Sequence, residues 1–530
     1  MPADLLLTRA RIHTLDPARP WAEAAAVVGE RIVAVGSAAE LAPWAGPGTR
    51  VLDLHGSLVL PGFIDSHVHF MEGGQTLLGV QLHGAATPAE FTARIQAKAR
   101  ELPEGEWILE GNWDHQYFPG AELPRRDWID AATPGHPVCV SRMDGHMVLC
   151  NSLALRLAGV DRNTPVPPGG AIVRDAAGEP TGVLKDAARD LVYRHIPPAS
   201  PARLRTVAET ALGAAAAKGV TSVHDVSGES GFAVYQDLLR EGRLTTRIAL
   251  FFPIAGVDDV VKLDLKSGFG SDRLRLAGLK GFTDGSLGSG TALFFEPYAD
   301  EPDNSGLFHQ QMFPDGAMAR RVRLADAHGL NVAVHAIGDR AVATLLDIFQ
   351  ELGEGFPGRR LRMEHAQHLR PGDLERMARL RVIASVQPYH GIDDGRWAEG
   401  RIGPGRTPWA FPYRSFLDAG VAMAFGSDWP VAPMDPVMGI YAAVTRRTLD
   451  GRHPGGWVPG QRIPLEAAVR ASTLGGAFAE GAERDKGSIS PGKLADFVVL
   501  DRDLFQIPPE QIQDARVRMT VCGGAVTYET

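Results

Sequence analysis

What most restricts the fold of this chain is a rhythm that starts near residue 221. Short apolar runs read as strands: TSVHDV (221–226), RIALFFPI (247–254), LRLAGLKGF (274–282), NVAVHAIG (331–338), LRMEHAQ (361–367), RVIASVQPY (381–389) and VAMAFGSD (421–428). Stretches such as FPDGAMARRVRLADAHG and DRAVATLLDIFQELG carry helical patterning between them. One more strand comes earlier, from the run VLDLHGSLVLPGFI, which ends in Asp65, His67 and His69. Strand–helix–strand units cross over right-handed, and eight of them predict a closed (β/α)8 TIM-like barrel. An open doubly wound sheet would normally bring a glycine-rich phosphate loop. No GxGxxG or GxxxxGK follows the first strand.

At 530 residues the chain exceeds what one hydrophobic core organises, so attached modules are expected. Residues 1–58 hold short Val, Leu and Ile runs broken by Gly, Asp or Pro, including a hairpin signal, GERIVAVG, with Gly29 and Glu30 in the turn. The same texture returns at 487–530. These ends predict one small β-sandwich module built from both termini, residues 1–58 plus 478–530, around a barrel at 59–477. After the first barrel strand, residues 72–200 or so lack the strand–helix rhythm and are too long for a bare loop, so an inserted subdomain is expected there. It is followed by a predicted helix, PARLRTVAETALGAAAAKG, with Ser200 as N-cap, Pro201 in the first turn and Gly219 as C-cap.

Hydrophobic residues at 44% and charged residues at 22% fit a globular protein. The 54 Lys and Arg against 63 Asp and Glu give a net charge of -9 with no basic block, so no footprint for nucleic acid is present and a small-molecule partner is expected. Cys139, Cys150 and Cys522 have no paired spacing, which argues against a disulfide framework or a thiolate zinc site. The apolar run in MPADLLLTRARIHTLDP is too short for a signal or a membrane span, so a cytoplasmic protein without membrane partners is expected. Whether copies form a homo-oligomer is left open by the sequence.

Barrel active sites sit at the C-terminal ends of the strands, and here those ends are polar. His67 and His69 close the first strand, Lys280 the fourth, His335 the fifth, His365 the sixth and Asp428 the eighth. Ala333 shares the face of His335, and Ala422, Ala424 and Gly426 that of Asp428, so small residues leave room beneath the polar tips. Each alone has an ordinary explanation: a backbone-bonded histidine, an ion-paired lysine, an aspartate turning the chain before Trp-Pro. Together, at the tips of one barrel, they predict a metal centre, and imidazole with carboxylate suits Zn2+ best, with Mn2+, Fe2+ or Ni2+ open. Candidate substrate contacts are His146, Trp113, Asp114, Tyr389, His390 and Trp429, the inserted subdomain being expected to roof the barrel mouth. Aromatic residues there would favour an aryl or alkyl group on the substrate; His224 is polar and unassigned.

With PGFIDSHVHF, LKGFTDGSLGS, VAVHAIGD, MEHAQHL and GSDWPVAP in this order, the chain resembles the amidohydrolase superfamily, in the branch that includes N-substituted formamide deformylase. The resemblance extends over nearly the whole chain, through SRMDGHMVLCNSLAL and GSISPGKLADFVVLD. It implies two metal ions, one on His67, His69 and Asp428 and the other on His335 and His365, bridged by Lys280 carboxylated by CO2. The expected reaction is hydrolysis of a C–N bond in an amide or N-substituted formamide by metal-activated water, with Asp428 as general base passing the proton to the leaving nitrogen. The same site could serve an ester, carbamate or lactone. A non-catalytic small-molecule binding protein is the reading from another class.

Overall fold

The computed structural model describes residues 2–143, 145, 147–167, 170–355 and 358–530. The chain forms two compact units, Met1–Phe70 with Ala211–Thr530, and Met71–Thr210.

In the first unit, eight parallel strands follow one another in chain order around a barrel: Phe63–Val68, Val220–Asp225, Arg247–Pro253, Leu274–Phe282, Val332–Ala336, Leu361–His365, Ile383–Val386 and Met423–Phe425. Strands of a parallel barrel are covered on both faces, which is why FIDSHV and VAVHA are buried along their whole length. The last strand meets the first through the segment that follows it. Asp428 N–H donates to the His67 carbonyl (2.7 Å), His69 N–H to Trp429 (2.8 Å), and the Ser66 hydroxyl to Phe425 (2.7 Å). Gly426 permits this approach, since a Cβ there would lie 2.6 Å from the His67 Cβ and backbone nitrogen. The helix Asp339–Gln350 shows why the outer layer packs: Val342, Leu345, Leu346 and Phe349 fall on one face and are buried.

The seventh and eighth strands each end three residues short of the apolar runs that signal them. RVIASVQPY pairs only over Ile383–Val386, because Pro388 lacks an N–H and enters the first turn of the helix Pro388–Asp394. Tyr389 and His390 therefore sit on a helix. VAMAFGSD pairs over Met423–Phe425, leaving Asp428 on the segment beyond.

The terminal module has a four-stranded sheet from the N-terminal stretch alone and a six-stranded sheet in which Arg11–His13, Trp21–Ala22 and Leu58–Pro61 join Phe497–Leu500, Val517–Cys522 and Ala525–Glu529. Leu7, Ile12, Val27, Val59, Phe497, Val499 and Val521 fill its core. The expected hairpin is present, Ala24–Val28 pairing with Arg31–Gly36 across Gly29 at φ +58°. The module belongs to the same compact unit as the barrel. Arg247, at the start of the third barrel strand, bonds Asp496 from two nitrogens (2.8 and 2.9 Å), and the Thr520 hydroxyl donates to the Ala216 carbonyl (2.7 Å).

The inserted stretch has its own five-stranded sheet and the helix Pro88–Glu101, which Thr87 caps by accepting from the Glu90 N–H. Phe91, Ile95, Ile108, Trp113 and Val140 lie in its core. Among the described residues no helix is long and apolar enough to cross a membrane, and all three cysteines are free thiols.

Candidate active site

Register decides which side chains enter the barrel. Residues paired across parallel strands share a face, so the row Lys280–Ala333–Arg362–Ile383 lies on one side of the sheet and the row Phe282–His335–Glu364–Ser385–Ala424 on the same side one level higher. Ala333 packs with Val226, Ala249, Phe251 and Ala277, the cluster at the barrel axis, so both rows point inward. His365 follows Glu364 and would point outward by alternation. Its φ of +70°, with Ala366 at +45°, breaks that alternation and returns the ring to the interior. Asp428 has φ +62° beyond the end of its strand. Non-glycine residues hold this conformation only where their surroundings over-determine it, and both examples are at strand ends in the candidate site.

These devices bring the polar tips together. Ligand-capable atoms of His67, His365 and Asp428 lie within 4.8 Å of one another. Asp428 Oδ1 is 3.4 Å from Nε2 of both His67 and His69. The His365 ring is 4.9 Å from that of His67 and 4.5 Å from that of His335, centre to centre. His335 Nε2 lies 2.9 Å from the Gly285 carbonyl, which can only accept, so Nδ1 carries the free lone pair. Lys280 is 2% exposed, with its ammonium nitrogen 4.6 Å from the Phe282 ring centre and no hydrogen-bond partner. The three clustered residues draw on both of the ligand sets that the family resemblance implies.

Burial dominates the electrostatics. It lowers His67 to about 4, helped by Lys280, and holds His365 well below the ordinary imidazole range, so both rings are neutral and able to donate a lone pair. Burial also lowers Lys280 to about 8, against the pull of Glu364 and Asp428. Asp428 is held well below the ordinary carboxylate range: the cost of burying its charge is outweighed by the neighbouring imidazoles, among them the His69 ring that hydrogen-bonds it. Asp65 is pushed up to about 7 by desolvation. Its Oδ1 accepts from the Ser427 N–H (2.8 Å) and the His67 N–H (3.3 Å), so it ties the first strand to the Asp428 segment.

Two inward residues of the sixth strand escaped the sequence reading. Glu364 Oε2 is 2.5 Å from His67 Nδ1, and Arg362 bonds Glu364 from Nε (2.9 Å) and Nη2 (3.1 Å). Arg362 Nη1 also donates to Nδ1 of His224 (2.8 Å), the histidine left unassigned. A signal existed in LRMEHA: Arg and Glu two apart on the face of a buried strand that looks into the barrel.

The substrate candidates are dispersed. His390 stacks parallel to His365, with ring centres 6.4 Å apart, and its Nε2 is buried without a hydrogen bond. Tyr389 is half-buried on the same helix. Trp429 is buried with its ring 6.1 Å from that of Phe70. In the second unit Trp113 is wholly buried, its indole N–H donating to the Val140 carbonyl (2.8 Å), and Asp114 accepts from Arg142 (2.8 Å). His146 lies outside the described residues.

The donor set fits a divalent transition metal. Neutral imidazoles and an ionised carboxylate converge, and the buried His365 Nδ1 and Lys280 nitrogen have no hydrogen-bond partner among the described residues. A closed parallel barrel with this set at its strand ends defines a (β/α)8 protein of the metal-site class. The chain belongs to the amidohydrolase family, whose model matches residues 50–528, and it is a hydrolase of that superfamily. It is 40% identical to the Protein LONG AFTER FAR-RED 3 of Arabidopsis thaliana, over 99% of this chain and 92% of that one. It is 28% identical to the N-substituted formamide deformylase of Arthrobacter pascens, over 99% and 98%. An uncharacterized metal-dependent hydrolase from Pyrococcus horikoshii superposes with a TM-score of 0.80 at 28% identity, over 95% of this chain and 99% of that one.

Proposed function

We propose that the protein hydrolyses a C–N bond in an amide or N-substituted formamide of small-molecule size, with Asp428 moving the proton. The convergence of His67, His365 and Asp428, ligand atoms within 4.8 Å, carries this reading. His67, His69, His335, His365 and Asp428 would hold the metal, taken as zinc, in a site for two ions. Bound there, the metal supplies Lewis-acid polarisation of the acyl oxygen and acidifies water. Asp428, ionised and buried, accepts the proton of the attacking water and returns it to the leaving nitrogen, so that an amine departs instead of an amide anion. His390, whose ring stacks against that of His365, is proposed to orient the acyl group.

Lys280 is proposed as the bridge between the two ions. A protonated ammonium repels cations, whereas an amine brought down to about 8 is partly neutral near physiological pH. The neutral nitrogen can attack CO2, forming an N–C bond and releasing a proton, which leaves a carbamate with two oxygens. Likeness to the deformylase of Arthrobacter pascens supports the formamide branch of the reading.

A panel of N-substituted formamides, N-acyl amino acids, hydantoins and aryl esters, offered to zinc-reconstituted protein, tests the proposal. Release of amine together with formate or another carboxylate is expected. Turnover of the aryl esters alone would move the reaction to the ester, carbamate and lactone class.

A further inference from the structure

The buried pair Arg362 and Glu364 lies directly behind the site, and none of the roles assigned above uses it. Both side chains are fully shielded from solvent. The Arg362 guanidinium is held on all sides: by Glu364, by Nδ1 of His224, by the Ser66 carbonyl (2.6 Å), by the Ser385 hydroxyl (3.1 Å) and by the Phe251 ring beneath it (4.6 Å). This frame leaves Glu364 little freedom. Its Oε1 faces Arg362 Nε, and its Oε2 is shared between Arg362 Nη2 and His67 Nδ1.

The consequence concerns the proton on His67. A neutral imidazole carries one N–H, on either nitrogen, and only the bare nitrogen can bind a metal. A carboxylate facing Arg362 is an acceptor, so the 2.5 Å contact requires the hydrogen on His67 Nδ1. The bare nitrogen is then Nε2, the atom 3.4 Å from Asp428 Oδ1, on the side where the strand tips converge. The backbone supports the same ring direction, since the His67 N–H bonds Asp65 and the His67 carbonyl accepts from the Asp428 N–H.

We propose that Glu364, clamped by Arg362, is a positioning residue that fixes the tautomer and orientation of His67 so that Nε2 is presented to the metal. The inference rests on the metal-site reading. Glu364 touches neither metal nor substrate; it acts through His67, as outer carboxylates act on ligating histidines.

The wild-type protein decides the question before any substitution is made. In metal-free protein labelled with 15N-histidine, His67, assigned by its loss in His67→Asn, is expected to be protonated on Nδ1; a proton on Nε2 would overturn the proposal. The second arm is Zn2+ affinity by chelator competition. In Glu364→Gln the amide N–H2 must oppose either Arg362 Nε or His67 Nδ1, so the charged, clamped acceptor that holds His67 is lost. Zn2+ affinity should fall about 10- to 100-fold while circular dichroism stays that of the wild type. A folded Glu364→Gln protein with wild-type affinity would refute the positioning role, since a merely structural ion pair would not tune the metal. If the wild type binds no Zn2+, the metal-site reading fails by itself, and the tautomer in the same sample still upholds or overturns the role of Glu364.

Discussion

The two ends of the barrel both bury charge, and they treat it differently. At the N-terminal ends of the strands, Arg247 bonds Asp496 twice, and Lys486 pairs with Glu480 and donates to the Ser222 hydroxyl (2.6 Å). At the C-terminal ends, the Lys280 ammonium and His365 Nδ1 are buried without any hydrogen bond. A buried charge without a partner costs several kcal/mol, on the order of 3–5 when a pair is broken. Pairing at one end fastens the terminal module to the barrel. The unpaired Lys280 and His365 atoms at the other are the ones the proposed function gives to a ligand.

Four substitutions sharpen or break this contrast. Asp428→Asn should lower kcat about 10²- to 10⁴-fold in steady-state assays on whichever amide the panel selects; wild-type turnover would remove the catalytic end from the comparison. Arg247→Met leaves the buried Asp496 carboxylate with the Gly523 N–H but without its bidentate cation, so the unfolding free energy in urea should fall by about 3–5 kcal/mol with kcat unchanged. Lys280→Met should do the reverse, lowering activity at least about 10-fold while the metal-free protein is as stable as wild type or more so, because the deleted ammonium has no protein partner. Equal destabilisation by the two would erase the distinction between the ends.

The smallest effect tests burial without pairing in His368, which packs against Phe294 and Phe411. Both ring nitrogens of His368 are buried without hydrogen bonds, and desolvation lowers it from 6.5 to about 3. Between those values the unfolded chain binds a proton that the folded chain refuses. This residue therefore makes stability fall as pH drops below 6.5, by about 1.4 kcal/mol per pH unit. His368→Phe removes that dependence, so its stability relative to wild type should rise steadily from pH 6.5 towards 4 in urea titrations; parallel pH profiles would contradict the buried neutral histidine.

The barrel and its polar tips were legible because both follow short-range rules. Strand–helix alternation names the fold, and His67, His69, Lys280, His335 and His365 close or lie near the ends of paired strands as the apolar runs suggest. What could not be read depends on backbone geometry and on register between distant strands. Alternation alone sends His365 outward, and only its φ of +70° places it beside His67 and His335. Glu364 was passed over for its histidine neighbour, since its role exists only once the first and sixth strands face each other inside the barrel. Tyr389 was read into a strand because the seventh apolar run continues past Pro388, where a helix takes over. Trp113 shows the limit of aromatic composition as a guide: its indole is committed to the core of the second unit.

The central claim is that the unpaired groups at the C-terminal strand ends serve a metal and its hydrolytic chemistry. Metal content by plasma mass spectrometry, measured beside amidase activity before and after chelation, addresses it most directly. The account predicts about one to two transition-metal ions per chain, loss of activity on their removal and its return with Zn2+. Full activity in protein stripped of metal would contradict it.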